Sequence, residues 1–323
     1  MQYRRLGRTG LPISALSLGA WVTFGRSVGR SEARELVALA HDHGVSFYDN
    51  AESYGQGEGE RILGDVLADL RLPRDAFCVS SKVFFGACRE PRPTQRGLSR
   101  KHVVEACHQA LRRLRVEHLD FYLCHRPDPD VPVEETVLAM DLLMRQGKVL
   151  YWGTSEWPAE AIARAAGFAA DNGLVAPSLE QPQYNLFART RVEREYAPLC
   201  RDLGLGLTTW SPLASGLLSG KYREADAGGR LRDPEFAWLD NHLEGATGRA
   251  RADRVRHLAA MAADLRCTPA QLAIAWCLGN PDVSTVILGA SAPAQLQENL
   301  AALAVLDALM PAERDGLADS MAD

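Results

Sequence analysis

Four side chains that together could protonate a carbonyl fall at or just past the ends of short apolar runs in the first 125 residues. Asp49 follows Val45-Ser46-Phe47-Tyr48, and Tyr54 comes five residues later on the exit loop. Lys82 follows Cys78-Val79-Ser80-Ser81, and His125 follows Phe121-Tyr122-Leu123-Cys124. A phenol titrates near 10, so Tyr54 keeps its proton at neutral pH and releases it reluctantly. Lys82 is expected to stabilise the phenolate and lower that value, with Asp49 holding the lysine charged and aimed. His125 is expected opposite the phenol, hydrogen-bonding the substrate oxygen. Taken singly, each has a plainer explanation: a surface aromatic, a structural salt bridge, a satisfied core histidine. Gathered at successive strand ends, they indicate a catalytic face.

These groups can move a proton but cannot reduce anything, so hydride must come from a cofactor. Gly55-Gln56-Gly57-Glu58-Gly59-Glu60 misses the dinucleotide-binding glycine spacing, and its two carboxylates would repel phosphate. Leu288-Gly289-Ala290-Ser291, running into a helix at Pro293-Ala294-Gln295, is the better phosphate site. Seven cysteines without a Cys-x-x-Cys pair argue against disulfides or zinc, and the Asp and His spacings match no metal signature. No metal is expected.

The elements that must position these groups alternate regularly. Candidate strands cover 15–21, 45–50, 76–83, 119–125, 149–155, 178–184, 206–212 and 284–290. Helical patterns cover 32–43, 59–70, 99–115, 133–146 and 191–203. Thr268-Pro269-Ala270-Gln271 opens a further helix with a capping residue, a proline at the first position and a glutamine that can cap back. Eight strand–helix units predict an α/β fold, a (β/α)8 TIM barrel forming a single domain over 1–323. Such a barrel takes about 250 residues, leaving roughly 70 for additions. Two additions stand out: a leading hairpin over 1–13, turned by Gly7-Arg8-Thr9-Gly10, and a long loop over 215–248 after the seventh strand.

The net charge of −5 and the pI near 5.9 give no reason to expect nucleic acid or an acidic membrane as partner. Only four of the 36 basic residues are lysine. No signal core or membrane-length apolar run is present, which predicts a cytoplasmic protein without membrane insertion. Arg89, Arg92, Arg96, Arg100, Lys101, Arg112, Arg113 and Arg115 form a basic cluster. It is divided between loop and helix and has no aromatic platform, so nucleic-acid binding is the weakest reading.

Motifs along nearly the whole chain carry a family resemblance. They are Gly19-Ala20-Trp21-Val22-Thr23-Phe24-Gly25, the stretch from Asp49 to Tyr54, Gly97-Leu98-Ser99-Arg100-Lys101-His102 and Arg126-Pro127-Asp128-Pro129. Further on come Tyr151-Trp152-Gly153-Thr154-Ser155, Trp210-Ser211-Pro212-Leu213-Ala214, Ser219-Gly220-Lys221-Tyr222 and Gln271-Leu272-Ala273-Ile274-Ala275-Trp276-Cys277-Leu278. Leu288-Gly289-Ala290-Ser291 completes the set. The chain resembles the aldo-keto reductase superfamily, and within it the β subunits of voltage-gated potassium channels and their bacterial relatives.

The resemblance implies an NADPH-dependent reductase of aldehydes or reactive ketones, an oxidoreductase, with Asp49, Tyr54, Lys82 and His125 as catalytic tetrad. It implies that Ser155 and Gln181 hold the nicotinamide amide and that Trp210 stacks beneath the ring. Ser211, Pro212, Leu213, Ala214, Ser215, Lys221 and Arg230 would line the pyrophosphate and the loop over it. Gly289, Ser291, Gln295, Glu298 and Asn299 would hold the adenosine end, and Trp21 and Asp49 would also face the cofactor. Trp21, Val22, Phe84, Phe85 and Arg126 would shape the pocket for a small-molecule carbonyl substrate.

Three departures separate the chain from the channel subunits. Those carry Asn where this chain has His125, and commonly Arg where Glu156 follows Ser155. Many also bear a long amino-terminal extension, whereas the barrel here begins almost at Met1. The alternative to an enzyme is an NADPH-binding, redox-sensing β-like subunit that regulates a membrane partner. Channel-type relatives imply a homotetramer; many other reductases are monomers.

Overall fold

The computed structural model describes residues 1–223, 231 and 245–321. A hairpin of β1 (Tyr3–Arg5) and β2 (Pro12–Ser14) leads the chain, paired antiparallel with Tyr3 opposite Ser14. The strands that follow are β3 (Leu16–Gly19), β4 (Phe47–Asp49), β5 (Cys78–Val83) and β6 (Leu119–Cys124). After them come β7 (Val149–Thr154), β8 (Leu179–Glu180), β9 (Gly206–Thr209) and β10 (Val283–Leu288). All eight are parallel and close into a barrel in the order β10-β3-β4-β5-β6-β7-β8-β9. This is a (β/α)8 barrel.

Around it run α1 (Arg30–Asp42), α2 (Glu58–Leu70), α3 (Arg100–Leu114), α4 (Val133–Arg145) and α5 (Ala159–Asp171). They are followed by α6 (Ala197–Leu203), α7 (Gly245–Asp264), α8 (Pro269–Leu278), α9 (Pro293–Leu300), α10 (Ala302–Ala308) and α11 (Pro311–Ser320). Every residue of β5, β6 and β10 is buried, as expected for strands covered on both faces. Thr268 and Gln271 cap each other at the start of α8, as their spacing predicts.

The predicted strands run one to five residues longer than those observed, except that the eighth begins one residue early, at Val283. The excess falls mostly at the carboxyl ends, where the chain leaves the ladder to build loops. The helix expected over 191–203 is divided: Arg191–Tyr196 forms a π-helical turn before α6. Of the predicted long loop, 214–219 and 221–223 form short 3₁₀ turns and α7 begins at Gly245; 224–230 and 232–244 lie outside the described residues.

The barrel interior has two storeys. The lower is apolar: Phe47 and Phe121 meet edge to face at 4.9 Å, together with Leu123, Leu179 and Ile287. Leu6 and Ile13 of the hairpin join them, both fully buried. Each such side chain contributes about 1.5–3 kcal/mol by leaving water. The hairpin thus stoppers the amino-terminal mouth. Its turn lies so close to the barrel that a Cβ on Gly7 (φ +52°) would stand 2.2 Å from the Gly204 carbonyl oxygen. The upper storey is polar and opens at the carboxyl ends of the strands.

Candidate active site

Asp49 ends β4 and Lys82 is the penultimate residue of β5, so both side chains converge inside the upper storey. The Lys82 ammonium donates to Asp49 Oδ2 at 2.7 Å, to the Asn50 carbonyl at 2.9 Å and to the Tyr54 hydroxyl at 2.9 Å. Asp49 Oδ1 accepts from Ser80 Oγ at 2.8 Å and from Gln181 Nε2 at 2.9 Å. Lys82 is wholly buried, and three acceptors meet its three N–H groups. His125, one residue past β6, sets its ring edge-on to Tyr54 at 5.9 Å between centroids. Its Nδ1 is buried without a hydrogen-bond partner.

The electrostatics correct one expectation. Lys82 was to lower the Tyr54 pKa; instead burial, and then the Asp49 charge, push the phenol well above 10, with Arg126 opposing. Asp49 neutralises much of the lysine charge at the phenol, and desolvation disfavours phenolate. Burial also lowers the Lys82 pKa, although Asp49 works against it. His125 is pushed well below its usual value by burial and by the Lys82 and Arg126 charges, so its imidazole is neutral at physiological pH.

Above the tetrad opens a cleft of about 1400 Å³. Of the residues singled out in the sequence, Trp21, Val22, Asp49, Tyr54, Phe85, His125, Arg126, Ser155, Gln181 and Trp210 line it. So do Ser211, Pro212, Leu213, Ser215, Lys221, Gly289, Ser291, Gln295, Glu298 and Asn299. Lys82 lies beneath the surface and reaches it through Tyr54. Ala214 is buried behind the rim, and Phe84 packs against the hydrophobic core with its ring 5.0 Å from Phe85. Arg230 lies outside the described residues.

The rim is conformationally costly. Val22 (φ 56°), Gln56 (φ 59°), Ser211 (φ 56°) and Ser215 (φ 57°) line the cleft in the left-handed region, and Glu156 (φ 58°) lies beside it. A β-branched residue there is a genuine outlier, and such residues cluster at functional sites.

Several supporting groups escaped sequence reasoning. Glu156, noted only as a departure, accepts the indole N–H of Trp210 at 3.0 Å and the Gln183 N–H at 2.6 Å on Oε1. Its Oε2 takes the Arg191 guanidinium at 2.5 Å. Glu52, two residues before Tyr54, accepts the backbone N–H groups of Phe84 and Gly86, both at 2.8 Å, and so holds the segment that presents Phe85. Its second oxygen faces His102 at 3.4 Å. Glu180 ends β8 buried against the Thr154 hydroxyl. Within the basic cluster, Arg113 pairs with Glu60, Arg115 with Asp65 and Lys101 with Glu105.

The aldo/keto reductase family model matches residues 15–317. This chain belongs to that family. Two relatives, each named a probable voltage-gated potassium channel subunit beta, come from Arabidopsis thaliana and Oryza sativa subsp. japonica. Each is 47% identical over 315 residues, covering 96% of this chain and 94% of the relative. A putative voltage-gated potassium channel subunit beta from Schizosaccharomyces pombe is 42% identical over 310 residues, covering 96% and 90%. Aldo/keto reductases are oxidoreductases that generally use a nicotinamide cofactor. Among the described residues, no helix is long and apolar enough to cross a membrane.

The cleft of this aldo/keto reductase fits such a cofactor by its donor set. One arm carries Ser211, Ser215 and Lys221, whose ammonium stem passes so close to Gly216 (φ +92°) that a Cβ there would stand 2.6 Å from Lys221 Cε. At the other arm a Cβ on Gly289 would meet nothing within 4 Å, leaving open space where β10 ends before α9. Trp210 and Trp21 meet edge to face at 5.2 Å, and both line the cleft. Cationic and hydroxyl groups flanked by flat apolar rings suit a phosphate-bearing aromatic ligand.

Proposed function

We propose that this chain reduces aldehydes or reactive ketones to alcohols with NADPH, Tyr54 acting as general acid. The observation that carries this reading is the position of Lys82 Nζ, within hydrogen-bond reach of both Asp49 and the Tyr54 hydroxyl. Bound NADPH would supply the hydride. Tyr54 donates its proton to the carbonyl oxygen, and Lys82 stabilises the phenolate as that proton leaves. Asp49 holds Lys82 in place through a bond that Ser80 and Gln181 brace from the other oxygen. Neutral His125 orients the carbonyl oxygen without competing for its proton.

Ser155 Oγ, donating to the Gln181 carbonyl at 2.8 Å, and the Gln181 amide are proposed to face the nicotinamide, with Trp210 as its platform. Lys221 and Ser291 favour a 2′-phosphate and hence NADPH over NADH. An aldehyde panel followed by NADPH absorbance, with NADH alongside, tests the reading. Alcohol should form in step with NADPH loss, and Tyr54→Phe should cut kcat by about 10²–10⁴ while leaving NADPH affinity nearly unchanged. Near-normal turnover by that variant would remove Tyr54 from its role.

The names of the relatives favour a second reading, a nicotinamide-bound subunit that regulates a membrane partner. His125, placed against Tyr54, favours turnover instead. Stopped-flow release of NADP separates them: fast release with multiple turnovers belongs to an enzyme, release over many minutes to a sensor.

A further inference from the structure

Arg126 is the cation beside the proposed acid that the reduction mechanism does not use. Its Nη1 donates to the His125 carbonyl and reaches Ser155 Oγ at 3.5 Å. Among the described residues it makes no ion pair with a carboxylate, unlike the buried Lys82. A guanidinium has five N–H donors in a planar fork, and these contacts occupy only one nitrogen. The Nε and Nη2 edges remain for a ligand.

Its surroundings point the same way. The Phe85 ring lies under the guanidinium carbon at 5.9 Å and edge-on to His125 at 5.1 Å, and His125 in turn faces Tyr54. A continuous aromatic wall therefore leads from the phenol to the cation, with Phe85 itself 43% exposed at the mouth. All four residues line the one cleft. Asp49, which also lines the cleft, is already engaged by Lys82, Ser80 and Gln181.

Resting on the reductase reading above, we infer that the preferred substrates carry a carboxylate a short aliphatic spacer away from the carbonyl. Arg126 binds that carboxylate as a fork while Tyr54 and His125 hold the carbonyl oxygen. Planar bidentate recognition of this kind belongs to arginine rather than lysine. Phe85 contributes the apolar wall along which the spacer lies.

Succinic semialdehyde and its methyl ester share a carbon skeleton and differ in the charge. Wild type should favour the free acid in kcat/KM by about ten- to a hundredfold, the range of a charge-assisted hydrogen bond. Arg126→Met should collapse that ratio toward unity, mainly through KM, and Arg126→Lys should restore part of it. Succinate binding by titration calorimetry, with dimethyl succinate as the neutral control, reads the same site without turnover. Succinate should bind wild type and lose its affinity in Arg126→Met, while NADPH affinity, read from indole fluorescence, stays unchanged.

Equal reduction of acid and ester by wild type would overturn the substrate class and leave carbonyl reduction standing. No reduction of either, with succinate still held through Arg126, would keep the carboxylate site and remove the reductase reading. A loss of NADPH affinity in Arg126→Met, with succinate binding intact, would assign the residue to the cofactor and end the inference.

Discussion

Glu156 Oε1 lies 3.0 Å from the indole nitrogen of Trp210, a bond between residues 54 positions apart in the chain. The carboxylate fixes the plane of the indole, and Arg191 on its other oxygen balances a charge that would otherwise face an anionic cofactor. Glu156→Ala should free the ring, shift its fluorescence and weaken nicotinamide-cofactor binding about tenfold, since a hydrogen bond to a charged group contributes about 1.5–3 kcal/mol. Glu156→Gln keeps an acceptor and should retain most of both properties. Unchanged emission and affinity in Glu156→Ala would mean that packing alone holds the ring.

The titration directions at the tetrad set the shape of the pH profile. Tyr54 is held protonated beyond pH 10 and His125 neutral below pH 6.5. The rate should lose its acid when pH rises through the Tyr54 value and its neutral imidazole when pH falls through that of His125. Single-turnover rates should therefore stay flat across pH 6.5 to 10. A break near neutrality in single-turnover data would contradict this arrangement.

Lys82→Met should be destabilising as well as inactive, because it strands Asp49 as a buried charge. Breaking a buried pair from one side costs about 3–5 kcal/mol. Adding Asp49→Asn removes the stranded charge, so the double variant should unfold at higher denaturant than Lys82→Met alone. Additive losses in the double-mutant cycle would show that the two groups do not couple.

Glu180 gives the protein a pH-dependent stability away from the tetrad. Burial raises its pKa from 4.5 to about 8, although the Thr154 hydroxyl bonds to it. The folded chain keeps this proton while the unfolded chain has lost it, so stability falls as pH climbs from about 4.5 to about 8. Glu180→Gln should flatten that slope, by an amount on the order of a few kcal/mol across the window. Urea melts of both proteins at the two ends of the range check it; parallel slopes would refute the assignment.

The barrel and the polar cluster at the carboxyl ends of its strands were legible because strand periodicity and strand termini are local properties. Asp49, Lys82 and His125 could be placed from the apolar runs that precede them, and Thr268 from its spacing to Gln271. What stayed hidden depends on three dimensions. Gln181 reaches Asp49 across 132 positions, and no local pattern announces that bond. Glu156 stood out only as an unusual residue after Ser155; its service to Trp210 follows from the fold. The direction of the Tyr54 shift was misjudged because burial is a property of the closed barrel. Phe84 and Phe85 are neighbours of the same type, and only the backbone decides which of them faces the cleft.

The stopper at the amino-terminal mouth makes demands on biosynthesis. Arg4, Gly7 and Arg8 bond to Val283, Ser284 and Gly204, and β3 needs β10 to close the seam. The hairpin and β3 must wait for β10, more than 260 residues later, before they find their places. Until β10 has been made, the hairpin is an apolar plug without a socket, so chaperone occupancy during translation should concentrate there.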